Sequence, residues 1–441
     1  MSKVFCPLPW IGLSTRSTGD LRVCCQSDSS DPKGSLLKDN GQKFNIAIDG
    51  LKTFRNSKVL KEIRKVILSG ESPKICSRCV KEEAAGFNSN RIHMIEDMAE
   101  EFSLQDAVNM TSEDGSIDEN NVPIKYADLR LGNLCNLKCR MCGPTDSSAW
   151  YDDYVKLFNN DIIIDNSGNK IKIITNFNEK ATLDTDIYNW HENSQFWKNL
   201  EDHIPDLKHI FIIGGEPLLI DNHYSFLEKC ISSGHADQIY IEIMSNITSI
   251  PKKAWDLWKH FKLIQISPSI DSIGDLHNYI RYPSKWSQIE NNLSKLVTAK
   301  GNFRIVISPT IMVLNLLHLP ELMLWKFEKF PNTKLNSHLL HGPVHYNIKI
   351  FPPISKIFIT NYFEECKIEY KNRIMNTKRG EVNYNFFCKE LNKATSFMNS
   401  EDWSSNIPEF FRLTNILDSI RNQKFEIVSP ITYRLLLGKH I

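Results

Sequence analysis

Between residues 124 and 345, short apolar runs of strand length alternate with runs of helical period. The strand candidates are KYADLRLG (125–132), HIFIIGG (209–215), IYIEIMSN (239–246), LIQISPSID (263–271), FRIVISPTIM (303–312) and KLNSHLL (334–340). Helical patterns such as NHYSFLEKCISSG (222–234) and KAWDLWKHF (253–261) lie between them. Parallel neighbours need a crossover, so this alternation predicts βαβ units and an α/β protein built on a parallel sheet. Polar residues gather at the C-terminal ends of the runs: Glu216, Ser245, Asn246, Ser269, Asp271 and Thr310. In parallel α/β architectures that edge is where ligands bind. DIIIDNSGNKIKIITNF (161–177) departs from the alternation and reads as two strands about an Asn-Ser-Gly turn, a hairpin insertion over about 159–180.

Two further zones flank this region. Residues 1–95 hold five cysteines in turn-rich sequence, with one helical pattern, LKTFRNSKVLKEIRKVILSG (51–70), that Gly70 is suited to cap. A polar, acidic stretch at 96–123 reads as a weak helix running into a linker. Residues 346–441 combine aromatics with helical patterns such as PEFFRLTNILDSIRNQ (408–423), an α-rich extension without recognisable chemistry. The 53 basic and 52 acidic side chains leave a formal charge of +1. That balance gives no electrostatic case for nucleic acid or an anionic membrane as the main partner. No apolar run reaches the roughly 18 residues of a membrane span, and the N-terminus makes a poor signal peptide. A cytoplasmic, reducing location is expected, where clustered cysteines bind metal more often than they form disulfides.

The densest cluster is CNLKCRMC, which places Cys135, Cys139 and Cys142 directly after a strand candidate. A structural zinc site needs four ligands, and no histidine lies within about forty residues to complete one. A ferredoxin-type site would also supply a fourth thiolate. A 4Fe–4S cluster on three cysteines instead leaves one iron open to a small molecule.

The loop resembles the C-x3-C-x2-C signature of the radical SAM superfamily. The resemblance implies an open, partial (β/α)6 barrel of TIM type and a cluster whose fourth ligand is S-adenosylmethionine. GGEPLL (214–219), at the end of the next regular strand, matches the family segment that holds the methionyl amine, which gives that role to Gly214, Gly215, Glu216 and Pro217. SPSIDSIGDLHNYIRYPSKW (267–286) resembles the family's "SxDG … H … R" stretch. By position, Ser269 should reach the ribose hydroxyls and Arg281 should pair with the methionyl carboxylate, while Asp271 caps the strand. Ser272 replaces the usual glycine there, and helix capping is the plainer alternative for Ser269 and Asp271. Asn246 is a further candidate for ribose or substrate, and Met141 stands where the family packs an apolar side chain near the adenine.

Cys6, Gly19 and Cys24, followed by the Cys76–Cys79 step of ICSRC, resemble the opening of SPASM and Twitch domains, which bind auxiliary iron–sulfur clusters. The pattern stops short, as in the Twitch form, and unusually precedes the core. It implies a second 4Fe–4S cluster on Cys6, Cys24, Cys76 and Cys79, with Cys25 an alternative to Cys24; a four-thiolate zinc site uses the same grammar. Cys230, Cys366 and Cys388 read as packing residues.

The activity implied is reductive cleavage of S-adenosylmethionine to a 5′-deoxyadenosyl radical that takes a hydrogen atom from a substrate. A peptide or protein side chain is the favoured substrate, a sugar or small metabolite next, and flavodoxin or ferredoxin a suitable one-electron reductant. The rival classes are an iron–sulfur electron-transfer or binding protein without radical chemistry and an N-terminal zinc scaffold. An electron carrier would have no need of Glu216, Ser269 or Arg281.

Overall fold

The computed structural model describes residues 4–27, 34–84, 88–165, 168–175 and 180–438. Two compact units divide the chain. The first comprises Met1–Leu134, Thr185–Ile243 and Pro251–Ile264, the second Cys135–Asp184, Met244–Ile250 and Gln265–Ile441. The strands are β1 (Gly12–Ser14), β2 (Tyr126–Leu131), β3 (Ile162–Ile164), β4 (Lys170–Ile174), β5 (Thr182–Leu183), β6 (His209–Gly214), β7 (Tyr240–Ser245), β8 (Leu263–Pro268), β9 (Phe303–Ile307), β10 (Thr310–Ile311), β11 (Lys334–Leu335) and β12 (His338–Leu339).

In the first unit β1, β2, β6 and β7 are neighbours in that order, and all pair in parallel. Strand β2 runs beside β6 in register from Tyr126 opposite His209 to Leu131 opposite Gly214. Ile210 and Ile212 of β6 and Ile241 and Ile243 of β7 are buried on one face of their strands, with the alternate positions of β7 half-buried. Helix Asp221–Ser232 makes the crossover from β6 to β7 and buries Tyr224, Phe226, Leu227 and Cys230. The edge strand β1 was not foreseen; three residues are too few to show a period of two.

Buried guanidinium groups secure the N-terminal part of this unit. Helix Lys58–Leu68 turns Leu60, Ile63 and Ile67 inward, and Arg64 lies on the same buried face. Arg64 donates to the carbonyls of Pro9 (3.0 and 2.8 Å), Arg55 (2.7 Å) and Gly115 (3.2 Å). Arg55 donates to the Trp10 carbonyl (2.7 Å). Each such donor satisfies a backbone oxygen that would otherwise be costly to bury. The acidic stretch expected as a linker is fastened by these bonds and by Asn56, which donates to the Ile117 carbonyl (2.9 Å). It also contains helix Leu104–Met110, opened by a reciprocal Ser103–Asp106 cap.

In the second unit β8, β9 and β11 are neighbours, β9 and β11 pair in parallel, and β10 and β12 form a separate parallel pair. The expected hairpin is present as β3 and β4, antiparallel with Ile163 opposite Ile171, and β5 adds a third strand. Asn166 and Ser167 of its turn lie outside the described residues. The C-terminal extension is helical: Pro353–Met375, Gly380–Asn399 and Ile407–Arg421 bury Phe363, Phe387, Leu391, Met398 and Phe410. Parallel strands with crossover helices and this extension make the chain the mixed α/β protein that its two periods predict. No helix among the described residues is long and apolar enough to cross a membrane.

His223 is fully buried near the start of the β6–β7 crossover helix, and burial holds its imidazole down at about 3, from an ordinary 6.5. A depressed histidine contributes stability that is complete above pH 6.5 and is lost as pH falls toward 3, because the unfolded chain takes up the proton first. Over that window His223→Phe should lose stability less steeply than the parent, by up to about 1.4 kcal/mol per pH unit. Denaturant unfolding at several pH values measures this; parallel slopes would contradict it.

Candidate active site

The loop from Cys135 to Cys142 is held along its middle by backbone bonds. Lys138 N donates to Tyr282 O (2.6 Å) and Arg140 N to Ile280 O (2.8 Å), which brackets Arg281 against the loop. The Trp150 indole N–H donates to Cys139 O (3.0 Å) and the Ser147 hydroxyl to Leu137 O (2.6 Å). Cys139 is buried, and Cys135 and Cys142 are half-buried. A hydrogen bond from the Cys142 thiol holds Cys139 below the ordinary thiol range, with help from the Arg281 charge and against the pull of burial. The same bond, together with burial, pushes Cys142 well up. Met141, between them, packs on the apolar core formed with the C-terminal helices.

Arg281 lies beneath this loop. Its Nε and Nη2 meet the buried Asp271 carboxylate (2.7 and 3.2 Å), and Nη1 donates to Cys139 Sγ (3.7 Å). Asp271 also accepts the Thr310 N–H (2.8 Å), and its carbonyl accepts from Asn315 Nδ2 (2.8 Å). The structure thus places Arg281 on a protein carboxylate and a candidate ligand sulfur. Ser269 is half-buried at the end of β8, its N–H on Ser245 O (2.9 Å).

The end of β7 forms a strained turn. Ile247 has φ +48°, a costly conformation for a β-branched residue. It is held there by Ser245 Oγ, which accepts its N–H (2.9 Å), and by Asn292 Nδ2, which donates to its carbonyl (2.8 Å). Asn246 is thereby fixed: Oδ1 accepts from Thr248 N (2.9 Å) and Oγ1 (2.7 Å), while Nδ2 donates to Asn136 Oδ1 (2.9 Å) and lies 4.0 Å from Cys135 Sγ. Asn136 in turn donates to Thr248 Oγ1 (2.8 Å). The amide expected to reach ribose or substrate is engaged with the cysteine loop. Asn136, Thr248 and Ile247 were missed, because an inner-loop asparagine and a positive φ at isoleucine have no pattern in sequence.

The GGEP segment belongs to the first unit. A Cβ at Gly214 (φ +147°) would approach Leu131 N and O to 2.9 Å, and one at Gly215 would come within 2.3 Å of Leu134 O. Only glycine lets the end of β6 lie this close to the backbone leaving β2. Glu216 N donates to Leu134 O (2.7 Å), and the buried Glu216 carboxylate accepts the Leu218 N–H (3.2 Å), capping the turn Pro217–Leu219.

Also in the first unit, four of the N-terminal thiols lie close enough to repel one another as thiolates. Burial first, and then Cys24, Cys76 and Cys79, raise Cys6 well above its ordinary range. Cys24 is pushed up to about 12 by burial and by Cys76 and Cys79. Burial and Cys79 push Cys76 up to about 11. Beyond burial, Cys25 answers chiefly to Asp128, Cys24, Arg22 and Arg130. Of the adjacent pair, Cys24 is the one facing Cys76 and Cys79. Among the described residues no group of three or more His, Cys, Asp or Glu side chains forms a site for a metal ion. A single ion draws its thiolates to about 2.3 Å from one point, whereas a four-iron cluster takes each thiolate on a different iron.

Three thiols on one loop, with an arginine–carboxylate pair against it, form the candidate ligand-binding part of this stretch. Residues 129–316 match the radical SAM superfamily. That family implies S-adenosylmethionine and a 4Fe–4S cluster, and the donors present fit: three thiols, one of them already held low and hydrogen-bonded by a guanidinium. Curated proteins gave no match. Among solved structures, the chain is similar to native anSMEcpe with bound AdoMet and Kp18Cys peptide, at 16% identity over 55% of this chain and 59% of that one, TM-score 0.35. It is also similar to Streptococcus suis SuiB bound to precursor peptide SuiA, at 14% identity over 76% and 65%, TM-score 0.33. The chain spans less than two thirds of each. A cavity of about 590 Å3 in the second unit, lined by Trp325, Phe358, Tyr362 and Ile431 among others, shares no residue with the cysteine loop.

Removing Arg281 would strand the buried Asp271 carboxylate. Arg281→Ala should cost about 3–5 kcal/mol of unfolding free energy, and adding Asp271→Asn should recover part of it. Denaturant unfolding of the metal-free single and double variants measures the coupling; strictly additive costs would contradict the pairing.

Proposed function

We propose that this chain is a radical SAM enzyme in which Cys135, Cys139 and Cys142 hold a 4Fe–4S cluster that S-adenosylmethionine completes. The observation that carries this reading is the Arg281–Cys139 contact inside the matched domain, with Asp271 fixing the guanidinium. When bound and reduced, the cluster would supply one electron to the sulfonium, giving methionine and a 5′-deoxyadenosyl radical that takes a hydrogen atom from the substrate. The chain's own residues orient and shield. Three of the five Arg281 N–H groups are engaged with Asp271 and Cys139, and the remaining two serve the methionyl carboxylate. Gly214, Gly215, Glu216 and Pro217 serve the methionyl amine, Ser269 the ribose, and Met141 the adenine side. Asn246 acts by holding Asn136 in the loop.

The same proposal gives Cys6, Cys24, Cys76 and Cys79 a second 4Fe–4S cluster in an N-terminal Twitch-like domain (1–95), joined through 96–123 to the core (124–345) and extension (346–441). Their mutual proximity supports this ligand set, with Cys24 in preference to Cys25. A peptide or protein side chain is the favoured substrate because auxiliary clusters of this type often accompany such chemistry. Flavodoxin or ferredoxin is the proposed electron donor.

Anaerobic reconstitution tests both clusters. The reduced protein should release 5′-deoxyadenosine, and the variant with Cys135, Cys139 and Cys142 changed to alanine should release none while keeping about four irons per chain. Undiminished 5′-deoxyadenosine in that variant would refute the core assignment. Zinc in place of the residual iron, with both metals offered, would refute the auxiliary cluster.

A further inference from the structure

The cysteine loop is tied to the C-terminal extension through the two basic residues that lie between its cysteines. Arg140 is fully buried with its guanidinium 3.7 Å over the Tyr279 ring. It donates to Tyr279 O (3.2 Å), to the Asp418 carboxylate and to Gln423 Oε1 (3.0 Å). Asp418, in helix Ile407–Arg421, also accepts the Tyr279 hydroxyl (2.8 Å) and the Phe425 N–H (2.7 Å). Lys138 reaches the buried Asp153 (2.7 Å), whose second oxygen takes Arg421 Nε (2.9 Å). The Arg421 guanidinium lies 4.7 Å over the Trp150 ring, and the Trp150 indole holds the Cys139 carbonyl. Leu413 and Leu417 of the same helix pack with Trp150 in an apolar cluster that Cys142 adjoins.

We propose that helix Ile407–Arg421 is a strap for the three-cysteine loop, with Asp418 and Arg421 as positioning residues that set the loop before any metal arrives. The helix offers one anion to Arg140 and one cation to Asp153, so two ionic chains of opposite sense meet the loop on either side of Cys139. Buried charges of this kind are costly to strand, so the loop and the helix should hold or loosen together. The inference rests on the reading of this loop as the cluster site, and gives the extension a role in that site.

The test is residue-resolved alkylation of the full-length, reduced, metal-free protein, read by mass spectrometry. Asp418→Ala should speed labelling of Cys139 and Cys142 by at least about tenfold, while the buried Cys230 and Cys366 keep their rates. Asp418→Glu, which keeps the charge, should restore protection, which loss of packing alone would not predict. If Asp418→Ala does not fold, Arg421→Gln, which removes the charge, is read in the same way. Unchanged rates at Cys139 and Cys142, or an equal rise at Cys230 and Cys366, would overturn the strap. A loosened loop in a chain whose reconstituted parent makes no 5′-deoxyadenosine would leave the strap standing and remove the proposed chemistry. Active parent protein with an unloosened loop in the variants would do the reverse.

Discussion

Three thiols on one loop repel one another once ionised, so such a loop needs positive charge and fixed backbone to stay in place. Arg281 supplies both. Its guanidinium sits between the Asp271 carboxylate and Cys139 Sγ, while the backbone on either side of it bonds the backbone of Lys138 and Arg140. The Asp271 carboxylate also holds the start of β10 through Thr310 N, and its carbonyl holds Asn315. One ion pair thus fixes the loop, the end of β8 and the segment after β9.

The remaining loop contacts divide the work. At Cys135 the Asn246–Asn136–Thr248 set fixes the entry, and the strained Ile247 is the cost of aiming Asn246 there. Near Cys139 and Cys142 the anchors come from Trp150, Tyr279 and the C-terminal helix. These groups fix the positions of the three thiols, and orienting donors is the protein's share in cofactor chemistry of the kind proposed.

Much of this was legible in sequence. The two hydrophobic periods predict the parallel strands and their crossover helices, and the Cys135–Cys139–Cys142 spacing marks the loop. Arg281 and Asp271 stand out only through the resemblance of 267–286 to the family stretch, and their pairing with each other does not, because it depends on how the chain from Ile280 to Tyr282 folds back on the loop. The three-residue β1 is too short to show a period. Arg140 and Lys138 carry no signal in the sequence, since their partners, Asp418 and Asp153, are brought to them only by the fold. Long-range ionic pairs leave no local pattern, and for that reason the extension carried no recognisable chemistry before its contacts were known.

Cys135, Cys139 and Cys142 are proposed to hold a cluster with one iron open to S-adenosylmethionine. The most direct test is the electron paramagnetic resonance spectrum of the reconstituted, reduced protein, recorded with and without S-adenosylmethionine. Cys76→Ala/Cys79→Ala protein keeps an auxiliary signal from overlapping. The reduced variant should give one cluster signal whose g-values shift when S-adenosylmethionine binds. A cluster signal that S-adenosylmethionine leaves unmoved, or no cluster signal in that variant, would contradict it.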